Sequence, residues 1–222
     1  MNKIHRMTTA ELSTAALREQ ILSRKILPGS RITEDAMARE LGISRATVRQ
    51  ALNSLVLEGL LVRNPATRVL EVLSLDAADV AEIYQARRVL ELAGVEASAD
   101  ASDEALLGLK QAVAQMREAV EKGDIPGFVE ADTQCHAQTV AFLNSHILSE
   151  AHTSLMGRLR LAMTHLEADG GATSEGLAQH QEFSDLILAR EIKQAKEHLA
   201  QRLNIAEQQM LDSLIAPPRA AK

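Results

Sequence analysis

Aromatic residues are almost missing from this chain: three Phe, one Tyr and no Trp among 222 residues. Proteins that hold single-stranded RNA by stacking bases on aromatic rings need more than this, so that class is nearly excluded. Cysteine is just as scarce. Cys135 stands alone, which forbids an internal disulfide and rules out a four-cysteine zinc site. Apolar runs such as Leu60-Leu61-Val62 fall far short of the roughly 18 residues that span a bilayer. The start, Met1 to Arg6, leads into polar Thr8, Thr9 and Glu11 without the apolar core of a signal peptide. Together these absences predict a chain that works in the reducing cytoplasm, with no membrane partner.

What is present is an ordinary globular mixture, 46% hydrophobic and 24% charged, in a length that favours two domains. The net charge of −6 hides an asymmetry. Residues 1–74 carry eleven Lys/Arg against seven Asp/Glu, a balance of +4, whereas residues 75–222 carry thirteen against twenty-three, a balance of −10. A basic first part joined to an acidic second part predicts that only the first meets a polyanion.

The basic part reads as three helices and a hairpin. The first helix begins near Thr9, passes through Leu12, Leu17 and Ile21, and stops at Pro28-Gly29. Thr33 can cap a short second helix, Glu34 to Leu41, with Gly42 past its end. Ser44 can cap a third that turns Val48, Ala51, Leu52, Leu55 and Val56 inward and ends at Gly59. Leu60-Leu61-Val62 and Val69 to Val72 then read as two strands around the turn-forming Asn64-Pro65-Ala66-Thr67. This is the pattern of a winged helix-turn-helix, predicted as a DNA-binding domain over residues 1–74. Residues 75–222 keep a helical period throughout, as in Val80-Ile83-Arg87-Leu90-Gly94 and Leu106-Leu109-Val113-Met116-Val120. Further helices are expected at 126–144, at 175–190 and at 191–214, with a Gly170-Gly171 loop and a frayed tail from Ala216. The predicted fold class is therefore mainly α, a winged helix-turn-helix followed by an all-helical antiparallel bundle.

On the third helix Arg45 and Arg49 lie four apart and share a face, with Thr47 and Gln50 beside them. A guanidinium can bond two acceptors of guanine at once, and Thr47 or Gln50 can contact bases or phosphates. Backbone amides near Ser44 can face a phosphate, and Arg63 and Arg68 on the hairpin can reach others. Two arginines on a helix are commonly just a solvated face. Inside a complete helix-turn-helix in the basic part they predict binding to double-stranded operator DNA.

Leu17-Arg-Glu-Gln-Ile-Leu-Ser-Arg-Lys-Ile-Leu-Pro-Gly29, Leu41-Gly-Ile-Ser-Arg-Ala-Thr-Val-Arg-Gln-Ala-Leu52 and Glu58-Gly-Leu-Leu61 resemble the DNA-binding domain of the GntR family of bacterial transcription regulators. The helical remainder resembles the FadR subfamily, whose C-terminal FCD domain binds effectors and dimerises. The resemblance places Arg45 and Arg49 on the base-reading arginines and implies a homodimer. Two departures stand out: Ala46-Thr47 replaces the common Thr-Pro pair, and the wing tip Pro65-Ala66-Thr67 lacks the usual glycine.

The acidic part holds something a plain bundle does not require. On the 126–144 helix Phe128, Cys135, Thr139 and Leu143 mark an inward stripe, with Asp132 and His136 on or beside it; His180 falls between Leu177, Ser184 and Ile187. Inward polar groups need partners. Asp-x-x-x-His puts two ligands on one helical face, and a third from another helix can complete a metal site. A lone inward histidine is more often a satisfied core group. The resemblance adds that many FCD domains hold a metal with one Asp and three His. Asp132, His136 and His180 match the first three positions, whereas the last falls on Arg202, with His198 one turn earlier. If the last two helices turn back near Glu191, Arg202 sits level with His180 and His198 is displaced by about 6 Å at 1.5 Å per residue.

A guanidinium cannot ligate a metal. Arg202 is expected instead to pair with Asp132 or to clamp an effector carboxylate, and the resemblance, which places Arg87 of Tyr84-Gln-Ala-Arg87 on the family's inward arginine, implies a second positive charge there. The predicted effector site is thus Arg87, Asp132, His136, His180 and Arg202, and the effector a small organic acid. A divalent metal such as zinc or nickel on Asp132, His136 and His180 is the second reading of the same cluster. His146, His152 and His165 read as surface or locally bonded residues. The chain is predicted to be a ligand-responsive, sequence-specific DNA-binding regulator acting as a repressor, and not an enzyme. The alternative is a metal-dependent enzyme or metal-sensing regulator built on Asp132, His136 and His180. The Glu and Glu-x-x-His set of catalytic bundle metal centres is absent, and Cys135 has no activating neighbour in the sequence pattern.

Overall fold

The computed structural model describes residues 7–170 and 173–215, apart from the side chains of 165, 167–170, 173 and 215. The tail from Ala216, Gly171 of the expected glycine loop and the His165 side chain lie outside the described residues. The chain divides into two units, Met1–Ser74 and Leu75–Lys222.

In the first unit α1 (Thr9–Leu22) opens on a reciprocal cap: Glu11 N–H donates to the Thr8 hydroxyl at 3.2 Å and Thr8 N–H to the Glu11 carboxylate at 2.6 Å. α2 (Glu34–Leu41) starts at Thr33, whose hydroxyl accepts from Ala36 N–H, and ends at Gly42, where φ is +66°. α3 (Arg45–Leu57) starts at Ser44. These three helices bury Leu17, Ile21, Val48, Leu52 and Leu55, the apolar face that the periodicity marked. Two Arg18–Glu58 hydrogen bonds of 2.7 Å fasten α1 to the end of α3.

The wing has one strand more than the sequence announced. β2 (Leu61–Arg63) and β3 (Leu70–Val72) form the expected hairpin, and β1 (Arg31–Ile32) adds to the far side of β3, giving the order β1-β3-β2. Both ladders are antiparallel, with Ile32 opposite Leu70 and Leu61 opposite Val72. Two residues after Pro28-Gly29 are too few to show an alternation, so nothing in the sequence marks β1. The glycine-free tip closes by other means. Asn64 Oδ1 accepts from Ala66 N–H and Thr67 N–H, both at 3.0 Å, and Arg68 takes the left-handed position at φ +61°.

The second unit is helical: α4 (Ala77–Ala97), a 3-10 turn (Ser98–Asp100), α5 (Asp103–Lys122), α6 (Ile125–Ala141), α7 (His146–Gly170), α8 (Thr173–Leu188) and α9 (Ile192–Ile215). α5 packs on α6 and α8, and α4 on α6, α7 and α9. One close approach sets the α4–α6 distance. Gly94 lies against the backbone of Thr139, and a Cβ there would overlap the Thr139 carbonyl. With Gly94 fixed to α6, Glu91 and Arg87, one and two turns earlier on α4, face His136 and Asp132. Arg190, at φ +61°, donates to the carbonyls of Ser98 and Ala101 at 2.6 and 2.7 Å and so ties the end of α8 to the turn after α4.

Candidate DNA interface and buried polar centre

α3 presents its polar face at the surface of the first unit. The side chains of Arg45 and Arg49 are 69% and 60% exposed, and Gln50, Arg63 and Arg68 are exposed as well. The helix start is preorganised: Ser44 Oγ accepts from Thr47 N–H at 3.1 Å, and the two hydroxyls share a 2.8 Å hydrogen bond. Neither arginine stands free. Arg45 Nε lies 2.9 Å from Asp35 Oδ1, and Arg49 bonds the Glu34 carboxylate through Nε and Nη2. Glu34 is held below the usual carboxylate range by these hydrogen bonds from Arg49. Asp35 and Glu34 were missed as members of this surface. They form the first turn of a helix, where acids are common for reasons of the helix dipole alone.

In the second unit Asp132, His136 and His180 are buried and come together, their ligand atoms all within 4.8 Å of one another. Asp132 Oδ1 is 3.0 Å from His180 Nε2, and Oδ2 lies 4.0 Å from His136 Nε2 with no hydrogen-bond partner among the described residues. The other ring nitrogens are already committed. His180 Nδ1 is 2.8 Å from the Gly176 carbonyl, and His136 Nδ1 is 2.7 Å from Glu91 Oε2. Carbonyl and carboxylate oxygens only accept, so both Nδ1 atoms carry their proton. In the neutral tautomers both Nε2 atoms therefore aim a lone pair at a carboxylate. Such a set is repulsive when empty and satisfied by a cation, and the outer partners Glu91 and Gly176 orient the rings as metal-binding imidazoles are oriented. Three donors of this kind fit a divalent cation and leave coordination positions open.

Glu91 is the hub behind this centre. It is 0% exposed and accepts from Arg87 Nε at 2.7 Å, His152 Nε2 at 3.0 Å and His136 Nδ1 at 2.7 Å. Burial works against its ionisation, but Arg87 and His136 outweigh it and keep the carboxyl well below its ordinary value. Three expectations are corrected here. Arg87 is no free positive charge for an effector: it is locked in an ion pair with Glu91 and lies over the Tyr84 ring at 4.9 Å. His152 is no surface residue, being fully buried on Glu91. Arg202 does not reach Asp132 but donates to Gln179 Oε1, while His198 bonds the Gln179 carbonyl at 3.1 Å and stacks on Phe183. His146 is exposed beside Glu150, as expected. Burial pushes the Cys135 thiol pKa upward, which makes it inert. Glu91 was missed although it stands four residues after Arg87 on α4, a spacing that is ordinarily a solvated ion pair.

A winged helix-turn-helix with arginines exposed on its third helix, followed by a helical unit with a buried carboxylate–imidazole centre, defines a DNA-binding regulator. Residues 11–69 match the bacterial regulatory proteins of the gntR family, and residues 82–204 match the FCD domain. The chain belongs to the GntR family of bacterial transcription regulators, in its FCD-containing branch, and is not an enzyme. It is 34% identical over 132 residues to an HTH-type transcriptional regulator of Agrobacterium vitis from the TAR-I ttuE-ttuC' intergenic region, covering 57% of this chain and 75% of that one. It is 29% identical over 147 residues to the gluconate operon transcriptional repressor of Bacillus licheniformis, covering 65% and 60%. Among solved structures, a protein of Rhodococcus sp. RHA1 named as a GntR transcriptional regulator aligns with a TM-score of 0.73 at 26% identity, over 93% of this chain and 99% of that one. No helix among the described residues is long and apolar enough to cross a membrane.

Proposed function

We propose that this regulator is a homodimeric, cytoplasmic repressor that reads an operator through residues 1–74 and is released by a small organic acid bound in residues 75–222. The observation that carries the DNA reading is the pair of exposed arginines, Arg45 and Arg49, on a capped helix whose other face is fully packed. Ser44, Thr47, Gln50, Arg63 and Arg68 are the supporting contacts, to bases or phosphates. Repression is supported by the similarity to the gluconate operon repressor.

In the second unit Asp132, His136 and His180 would hold a divalent cation such as zinc or nickel, which supplies a Lewis-acidic point for a carboxylate oxygen when bound. Glu91 sets the tautomer of His136, and the Gly176 carbonyl sets that of His180. With Arg87 committed to Glu91, Arg202, bonded to the neutral Gln179, would be a cation for an incoming acid. Effector binding acts as a coupling between two binding equilibria.

The test is selection of duplexes from a randomised pool by the full chain, followed by footprinting and sedimentation. The expected result is a protected site of two inverted half-sites spaced by about one helical turn, or 34–36 Å, bound by a dimer at micromolar concentration. No enrichment of any sequence, or a monomer bound to a single unrepeated site, would contradict the reading.

A further inference from the structure

The geometry points to Glu34 as the positioning residue that aims Arg49 at its base, so that an acid on α2 determines the specificity of an arginine on α3. This rests on the DNA-reading role proposed for Arg49. Glu34 takes the guanidinium from the side: Arg49 Nε donates to Oε1 at 2.9 Å and to Oε2 at 3.1 Å, and Nη2 donates to Oε2 at 2.9 Å. A guanidinium has five N–H donors in one plane. The side-on bridge uses the Nε proton and the Nη2 proton next to it. The forward edge, one proton on Nη1 and the outer one on Nη2, is left unused by Glu34, and this is the fork that meets O6 and N7 of guanine.

The carboxylate therefore leaves the reading edge of Arg49 open while removing the swing of a long side chain that is 60% exposed. An arginine held in advance loses less conformational freedom when it binds. Glu34 is itself held, because it sits at the first position of α2 directly after the Thr33 cap and is only 34% exposed. The neighbouring pair is built differently. Arg45 Nε lies 2.9 Å from Asp35 Oδ1, and Asp35 is 55% exposed, so the acid beside Arg45 is itself less held than Glu34.

A structural ion pair and a positioning pair predict different DNA behaviour. The probes are a duplex enriched by the full chain, its single base-pair variants and a scrambled duplex of equal length, all at one salt concentration. Glu34→Gln is expected to bind the scrambled duplex more tightly, since a negative charge beside the phosphates is gone. Its preference for the enriched duplex should fall about tenfold, part of the value of a bidentate base contact, at the base pair that Arg49→Ala also ceases to sense. Glu34→Asp, which keeps the charge but shortens the reach, should lose preference without the gain on scrambled DNA. In an Arg49→Ala background Glu34→Gln should leave the preference unchanged. If Arg49→Ala lowers the preference and Glu34→Gln leaves it intact or raises it, the positioning role is overturned while the reading role of Arg49 survives. If Arg49→Ala has no effect on preference, both are overturned.

Discussion

Glu91→Ala is expected to destabilise the second unit by about 3–5 kcal/mol, the usual consequence of leaving one partner of a buried ion pair without its counter-charge. Arg87 is 2% exposed and Glu91 0%, so the guanidinium would be stranded in a place that water does not reach. His136 and His152 lose their hydrogen-bond acceptor in the same substitution. Denaturant unfolding followed by helical circular dichroism measures the loss as a lower midpoint. Arg87→Leu combined with Glu91→Leu should be more stable than Glu91→Ala alone, because replacing the whole pair by apolar groups removes the stranded charge. A loss below about 1 kcal/mol, the range of an exposed ion pair, would mean that the network is open to solvent.

Asp132→Ala is expected to lower the affinity of the chelator-treated protein for zinc or nickel by at least about 100-fold, the upper end of what the loss of a mere outer-shell partner costs. Asp132 supplies the only carboxylate of the three-donor set, and its Oδ2 is buried with no partner among the described residues. Calorimetric titration reads the change directly. Glu91→Gln should weaken the same binding less, since Glu91 touches only the far nitrogen of His136. His146→Ala should leave it unchanged, as His146 is exposed and pairs with Glu150. Equal zinc and nickel affinity in wild type and Asp132→Ala would remove the centre from the account.

The elements were largely legible because each begins and ends on local chemistry. Thr33, Gly42 and Ser44 delimit α2 and α3 where the sequence placed them, and the apolar stripe of α3 is the one that packs. β1 was not legible, since a two-residue strand has no period and exists only through its pairing with β3. In the second unit the spacing of Asp132 and His136 announced a shared face, and His180 was found from its place among apolar neighbours. Glu91 and His152 were missed for one reason: a lone charged or polar residue on a helix is ordinarily solvated, and only tertiary packing reveals that these two bury against each other. Arg202 was level with His180 by residue count, but Gln179 on the facing helix intercepts its side chain. Counting along helices fixes height and not which acceptor is nearest.

The central claim is that α3 reads sequence rather than charge alone, and titration of wild type and Arg49→Ala on the enriched and scrambled duplexes at one salt concentration tests it most directly. The account predicts a loss of about 1–3 kcal/mol on the enriched duplex beyond any loss on the scrambled one, the value of a bidentate arginine–guanine contact. Equal losses on both duplexes would make Arg49 a phosphate contact and contradict it.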